Sequence, residues 1–346
     1  MKIAIITDTH FGCRSESGVF FDSAERFFAE EFFPSLDALG IKTVVHLGDL
    51  VDRRKYVAFV TANRMRRMFV DPIIDRGIEL IILPGNHDLP FKNLVSINAE
   101  RELLAPHPLI RVVETARVWN LGGLPVLMLP WICDENRQSS LDMIRHATTP
   151  ACMGHLELSG FEMHRGQMAE HGMSPATLSH FRVVLSGHYH HKSSKGNVHY
   201  LGAPYEMTWS DYDDPRGFHV FDTETLELDF CRNPNSVFAK LYYDDADTRV
   251  ELLDDVREKV VKIVIKSKND PMGYDRFVEC VEMLAANVQV VDDHLKRDVI
   301  SDVEIASDAP DTLSLLTACT ETARCDRTAL RALLAELFNR AQALNA

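Results

Sequence analysis

The sequence predicts an α/β fold: a largely parallel sheet system first, then a smaller α+β unit and terminal helices. Three observations predict it. Short apolar runs alternate with helical periodicity through the first two hundred residues, the pattern of successive βαβ units. The length of 346 residues exceeds one ordinary core and suits two compact domains. A composition 46% apolar and 25% charged is that of a globular chain and excludes bulk disorder.

Lys2 to Thr7 reads as the first strand. Asp22 or Ser23 then caps a helix whose apolar face carries Phe27, Phe28, Phe32 and Leu36, ending near Gly40. A strand over Lys42 to Leu47 precedes a helix from about Val57 to Val70, closed by Pro72. The next strands are expected at Ile78 to Leu83, Leu124 to Leu129, Ala151 to Gly154 and Arg182 to Ser186. Val198 to Leu201, Gly217 to Phe221 and Leu226 to Cys231 are short and closely spaced, as in antiparallel pairs.

Turn residues at Asn233 to Ser236 mark a boundary, giving a first domain over 1–234 and a second over 235–300. The second has strands at Val237 to Tyr243, Val260 to Ser267 and Val288 to Val291, with a helix from about Tyr274 to Ala286. Residues 301–311, acidic with Ser, Ala and Pro, read as a linker. Two helices are expected over 312–346. In the last, Leu330, Leu333, Leu334, Leu337 and Phe338 recur at steps of three and four, one continuous apolar stripe.

The net charge of −14 leaves no basic tail to hold a polyanion unaided. No stretch approaches the ~20 apolar residues of a membrane span, so the chain is expected in the cytoplasm. Seven cysteines without a CxxC pair indicate neither a disulfide framework nor a zinc knuckle.

The chemistry gathers at strand ends. Asp8 and His10 stand two apart after the first strand, and Gly48-Asp49 and Asp52 follow the second. Gly85-Asn86-His87-Asp88 follows the third, His155 a later one, and His188 and His190 another, again spaced by two. Each such motif alone is common in turns and caps. Together they place a metal-type ligand at the end of five strands, the edge where open α/β sheets build their sites. Two carboxylates, one amide oxygen and four imidazoles exceed what one tetrahedral zinc needs and suit two divalent cations sharing a bridge. The mixed nitrogen and oxygen set without thiolate suits Mn²⁺, Fe²⁺, Zn²⁺ or Co²⁺. Two such ions would leave the site electropositive, so phosphate is the expected guest. His46, His107, His146, His164, His171, His180, His219 and His294 read as ordinary packing or surface histidines; His191 and His199 stay open.

Taken in order, Asp8-Thr-His10, Gly48-Asp49-Leu-Val-Asp52, Gly85-Asn86-His87-Asp88, Gly154-His155 and Gly187-His188-Tyr-His190 resemble the motif set of the calcineurin-like metallophosphoesterases. Within them the chain is most similar to SbcD-type DNA-repair nuclease subunits, in detail to the T-even phage recombination type. The similar details are Thr7-Asp8-Thr9-His10-Phe11-Gly12, Asp52-Arg53-Arg54-Lys55, and Lys92-Asn93 after the Gly85 motif. The resemblance implies a four-layer α/β/β/α sandwich with a small capping domain over 235–300 and a C-terminal helical segment. It also implies that Asp8, His10, Asp49 and His190 hold one metal and Asp49, Asn86, His155 and His188 the other, with Mn²⁺ the expected ion. His87 would act on the scissile phosphate, with Asp88 orienting its imidazole, in hydrolysis by activated water. Acid at position 52, where archaeal and eukaryotic relatives carry histidine, leaves its role open.

The implied substrate is DNA and the implied partner an SMC-like ATPase of the SbcC type, within a complex that holds a homodimer. On that resemblance the stripe at Leu330, Leu333, Leu334, Leu337 and Phe338 would grip the ATPase coiled coil. Arg53, Arg54 and Lys55 are the candidate phosphate contacts. Two other readings use the same residues: a small-molecule phosphomonoesterase or phosphodiesterase, and a scaffold that retains the fold without catalysis.

Overall fold

Ile3–Ile6 is an unbroken apolar run, and Lys2–Ile6 forms β1, buried on both faces as parallel strands require. The computed structural model describes residues 1–104, 106–245 and 254–292. β2 (Thr43–His46), β3 (Glu79–Ile82) and β4 (Ile110–Val112) follow side by side in parallel. β5 (Arg117–Leu121) and β6 (Leu124–Leu129) open a second sheet as an antiparallel hairpin, which β7 (Ala151–His155) joins in parallel. A small hairpin of β8 (Glu162–His164) and β9 (Gln167–Met168) precedes β10 (Val183–Gly187), parallel to β7. β11 (Ser193–Lys195) and β12 (Val198–Tyr200) complete that sheet; β12 lies parallel to β10 and antiparallel to β11. The chain then returns to the first sheet, where β13 (Gly217–Asp222) runs antiparallel to β1 and β14 (Leu228–Arg232) flanks it. Each sheet has six strands.

Alternate residues of one strand point to opposite faces. Ile3 and Ile5 therefore join Val45, Leu47, Ile81 and Leu83 against Val126, Met128, Met153 and Leu185 of the other sheet. Ala4, Ile6, Val44, Leu80 and Ile82 face outward onto helices. Leu127, Leu129, Cys152 and Val184 do the same on the second sheet, where Ile144 of helix Arg137–His146 covers them. The layers are helix, sheet, sheet, helix, as expected of the fold class.

Two helices differ from expectation. The first begins at Gly18 rather than Asp22, because Phe20 and Phe21 are buried and draw an extra turn into the core. It widens into a π-helix over Phe27–Phe32 before helix Phe33–Leu39. The extra residue per turn brings the neighbours Phe27 and Phe28, and Phe32 and Phe33, all into the core. The second is not closed by Pro72. Helix Phe59–Met65 passes through a π-helix at Arg66–Val70 into helix Asp71–Asp75, and Pro72 falls in the first turn of that last piece.

After β14, β15 (Phe238–Tyr243), β16 (Val260–Ile265) and β17 (Asn287–Asp292) form a three-stranded parallel sheet. Helix Pro271–Leu284 covers it; the Asp270 side chain accepts from Gly273 N at 3.1 Å as its cap. Its core includes Leu241, Tyr243, Val261, Ile263 and Phe277. The Glu206 carboxylate fastens this unit by accepting from Val237 N at 2.7 Å and Phe238 N at 3.0 Å, and Phe238 packs on Trp209. The expected linker 301–311 and helices over 312–346, with Leu330, Leu333, Leu334, Leu337 and Phe338, lie outside the described residues. Among the described residues no helix is long and apolar enough to cross a membrane.

Candidate metal centre

The ends of β1 and β2 carry their ladder past the strands: Asp8 N donates to Gly48 O at 3.0 Å and His10 N to Asp49 O at 3.0 Å. That pairing sets Asp8 and His10 beside Asp49. The neighbouring loops must come very close, and glycine permits it. A Cβ on Gly85 would fall 2.2 Å from Asp49 Oδ1, and one on Gly187 would fall 2.0 Å from Thr7 Oγ1. The backbone is strained here as well. Asp8, His10, Asp49 and His188 all take positive φ, at 54°, 39°, 55° and 91°. Such conformations cost of order 1–3 kcal/mol each and persist where the surroundings impose them, typically at sites.

All seven candidate ligands converge, in two groups that meet at Asp49. Asp8, His10 and His190 present donor atoms within 4.8 Å of one another, as do Asp49, His155 and His188. His10 Nε2 lies 3.1 Å from His190 Nε2 and 3.5 Å from Asp49 Oδ2. On the other side, His155 Nε2 lies 3.4 Å from Asp49 Oδ1. Asn86 Oδ1 stands between two imidazoles, 3.0 Å from His155 Nε2 and 2.9 Å from His188 Nδ1. The Asp8 carboxylate accepts from Thr7 Oγ1 at 2.8 Å and from His188 N at 3.1 Å, tying the first sheet to the second.

Burial and close neighbours shift the ionisation of this cluster in both directions. Burial, the largest cause, holds the His10 and His188 imidazoles well below their usual range, the neutral state that offers a lone pair. Burial opposes ionisation of Asp49, yet His155, His87 and His10 around it hold its pKa well below the usual range. Burial also raises Asp8 to about 7; His155 pulls it down and Asp49 pushes it up. At His155 burial works downward, but Asp49, Asp8 and the Leu47 carbonyl prevail and raise it to about 9. Nδ1 of His155 lies 2.8 Å from Leu47 O, so Nε2 is the nitrogen turned to Asn86 and Asp49. Oxygen and nitrogen donors without thiolate, in two groups sharing a carboxylate, fit a pair of divalent cations.

His87 is half-buried at the same place, its ring 4.7 Å from that of His10. The structure corrects how it is oriented. Nδ1 donates to the main-chain carbonyl of Asp52 at 2.7 Å, and its own N–H donates to Asp49 Oδ1 at 2.8 Å. The Asp88 carboxylate, buried behind the loop, instead accepts from Gly85 N at 2.8 Å and Val51 N at 3.1 Å. Asp88 thus shapes the backbone of both ligand loops and makes no bond to the imidazole. Asp52 contributes its carbonyl, while its carboxylate sits 3.7 Å from His10 Nδ1 with burial raising its pKa.

Of the candidate phosphate contacts, Arg53 bonds Ser15 Oγ at 3.0 Å and Tyr56 OH, and pairs with Glu16 at 3.4 Å. Arg54 is half-buried and Lys55 exposed. His191 bonds Asp214, and His199 bonds Ser194 Oγ, so both stand outside the ligand cluster. Sequence reasoning missed Trp131, half-buried with its ring 5.0 Å from His188 and 5.9 Å from His155. A tryptophan between two strands carries no motif signal; only the fold brings it there.

A model of the family described as calcineurin-like phosphoesterase matches residues 1–192. Exonuclease subunit 1 of Enterobacteria phage T4 is 32% identical over 311 residues, which are 89% of this chain and 89% of that protein. Similar solved structures include an archaeal phosphodiesterase, at 15% identity and TM-score 0.34 over 67% of this chain and all of that one. A dimetal phosphatase from Danio rerio is 10% identical with TM-score 0.41, over 64% of this chain and 91% of its own. With the family match spanning the strands that carry every one of these donors, the chain belongs to the calcineurin-like phosphoesterases.

Proposed function

We propose that this chain is a Mn²⁺-dependent DNA nuclease, the phosphodiester-hydrolysing subunit of an SbcCD-like complex that processes DNA ends in recombination, repair and replication. The observation that carries the reading is Asp49, whose two carboxylate oxygens face different histidine groups. Asp8, His10, Asp49 and His190 would hold one cation, and Asp49, Asn86, His155 and His188 the other. When bound, the pair supplies an activated water and neutralises charge developing on the phosphate. The rest is done by the chain. Asp52 O fixes the His87 ring through Nδ1, which turns Nε2 to the phosphate; as the imidazolium the ring would donate a hydrogen bond or a proton from Nε2 to a phosphate oxygen. Asp88 keeps the Gly85–Asp88 and Asp49–Asp52 loops in register so that His87 and the donors face one phosphate.

The similarity to a phage exonuclease subunit over most of both chains supports DNA as the substrate and a multi-subunit assembly. Within that reading the three-stranded unit caps access to the site, and the stripe at Leu330, Leu333, Leu334, Leu337 and Phe338 docks on an SMC-like ATPase. The chain acts as a homodimer in the complex, in the cytoplasm of a cell or phage-infected host. Phe59, 97% exposed at the start of its helix, and Phe91, 54% exposed, are apolar side chains available to a second copy.

The test compares linear DNA, a chromogenic phosphodiester and a phosphomonoester, each with Mn²⁺ and after chelation. Mn²⁺-dependent cleavage of DNA in preference to both small esters is expected. Preference for a small ester would establish the small-molecule reading, and inactivity on all three the scaffold reading. For the partner, Leu333→Glu with Leu337→Glu should abolish copurification with the ATPase and spare cleavage; undiminished copurification would place the contact elsewhere.

A further inference from the structure

Arg216 is 4% exposed and lies between two buried carboxylates. Its Nη2 donates to Asp211 Oδ1 and Asp214 Oδ2, both at 2.8 Å. Its Nη1 donates to the main-chain carbonyl of His190. A buried ion triad is commonly no more stable than apolar side chains of the same volume, so stability alone does not account for it. The contact to His190 is the feature with a use. It is the one main-chain acceptor that the guanidinium reaches among the described residues.

The placement matters because of what each end belongs to. Arg216 immediately precedes β13, which pairs with β1, the strand that leads to Asp8 and His10. His190 leaves β10 of the other sheet. The guanidinium therefore bridges the two sheets at the side where His10 Nε2 and His190 Nε2 approach to 3.1 Å. The His190 carbonyl also accepts from Ala203 N at 3.1 Å, so it is held from two directions. The carboxylates are anchored in turn: Asp211 accepts from Met207 N at 2.8 Å and Thr208 N at 2.9 Å, and Asp214 bonds His191 Nδ1 at 2.9 Å. The chain at and just after the His190 ligand is thus tied to one charged cluster, while Asn86, His155 and His188 have no bond to it.

We propose that Arg216, with Asp211 and Asp214, is a positioning residue that sets His190 against His10 and so governs affinity at one of the two cation sites. This rests on the dinuclear reading. The measurement is Mn²⁺ binding to the full chain by calorimetry, with cleavage assayed alongside. Arg216→Lys keeps a charge between the carboxylates but lacks the fork that spans from them to the carbonyl. It should weaken one Mn²⁺ site by about 10- to 100-fold, the usual effect of removing support behind a metal ligand, and leave the other within about twofold. Should Arg216→Lys not fold, Arg216→Gln with Asp214→Asn removes opposite charges together, and the same result is expected.

Combination with His190→Ala decides the route. Once that ligand is gone, Arg216→Lys should have no further effect on the remaining site. Two sites unchanged in a folded variant, two sites weakened alike, or additive losses in the His190→Ala background would each overturn the proposal. Fewer than two Mn²⁺ ions on the wild-type chain would instead overturn the dinuclear reading beneath it.

Discussion

His10 and His190 come from loops of different sheets and bring their Nε2 atoms to 3.1 Å. Two imidazoles hold that distance only if one N–H points at the other's lone pair or a cation draws both. Cation binding should therefore stabilise the fold itself. At free Mn²⁺ one hundred times the dissociation constant, each site adds about 2.7 kcal/mol. Melting should shift upward with Mn²⁺ and return on chelation. A midpoint indifferent to both would contradict the cation-binding role of this pair.

Asp49 should be the least replaceable donor. Its Oδ2 faces His10 and its Oδ1 faces His155 and accepts from His87 N, so Asp49→Ala removes a ligand from both sites and a support of the His87 loop. Cleavage should fall by about 10³-fold or more, since cation stabilisation of the transition state is worth several kcal/mol. Calorimetry should show both Mn²⁺ sites weakened, against one for His188→Ala. Retention of one unaltered site in Asp49→Ala would show that the carboxylate does not bridge.

His87 should separate from the metal ligands. His87→Gln leaves all seven donors in place, so both Mn²⁺ affinities should stay close to wild type while cleavage drops by about 10²- to 10⁴-fold. Asp88→Asn gives the contrast: it alters the acceptor for Gly85 N and Val51 N and should disturb cation binding and cleavage together. Metal loss in His87→Gln would mean that the ring serves the ligands.

The strand-end motifs were legible because each lies directly after an apolar run, so sequence order already brings them to one sheet edge. Trp131 and Arg216 were not: neither falls within a motif, and each meets its target through pairing of strands far apart in the chain. The edge strand β5 escaped for another reason. Val118 is 46% exposed, and Arg117 before it and Asn120 after Trp119 leave only two consecutive apolar residues, so no apolar run marks it. Pro72 misled because a proline ends a regular helix, whereas the π-helix before it resets the turn.

A last expectation concerns pH and lies away from the cation cluster. His219 sits on β13 opposite Ile5, 3% exposed, its ring 5.1 Å from Phe230. Burial, with lesser repulsion from Lys192 and His199, pushes its pKa down to about 3. The unfolded chain has an ordinary value of about 6.5, so below that pH it binds a proton that the folded chain refuses. The stability involved is fully present above about 6.5 and is lost as pH falls toward 3. By pH 5 the loss reaches about 2 kcal/mol for this one group. His219→Phe keeps a ring of similar breadth on the strand and removes the titration. Denaturant unfolding at pH 7 and pH 5 should then show the variant losing less stability than wild type by about that amount. Equal losses in the two proteins would mean that His219 takes up its proton without unfolding.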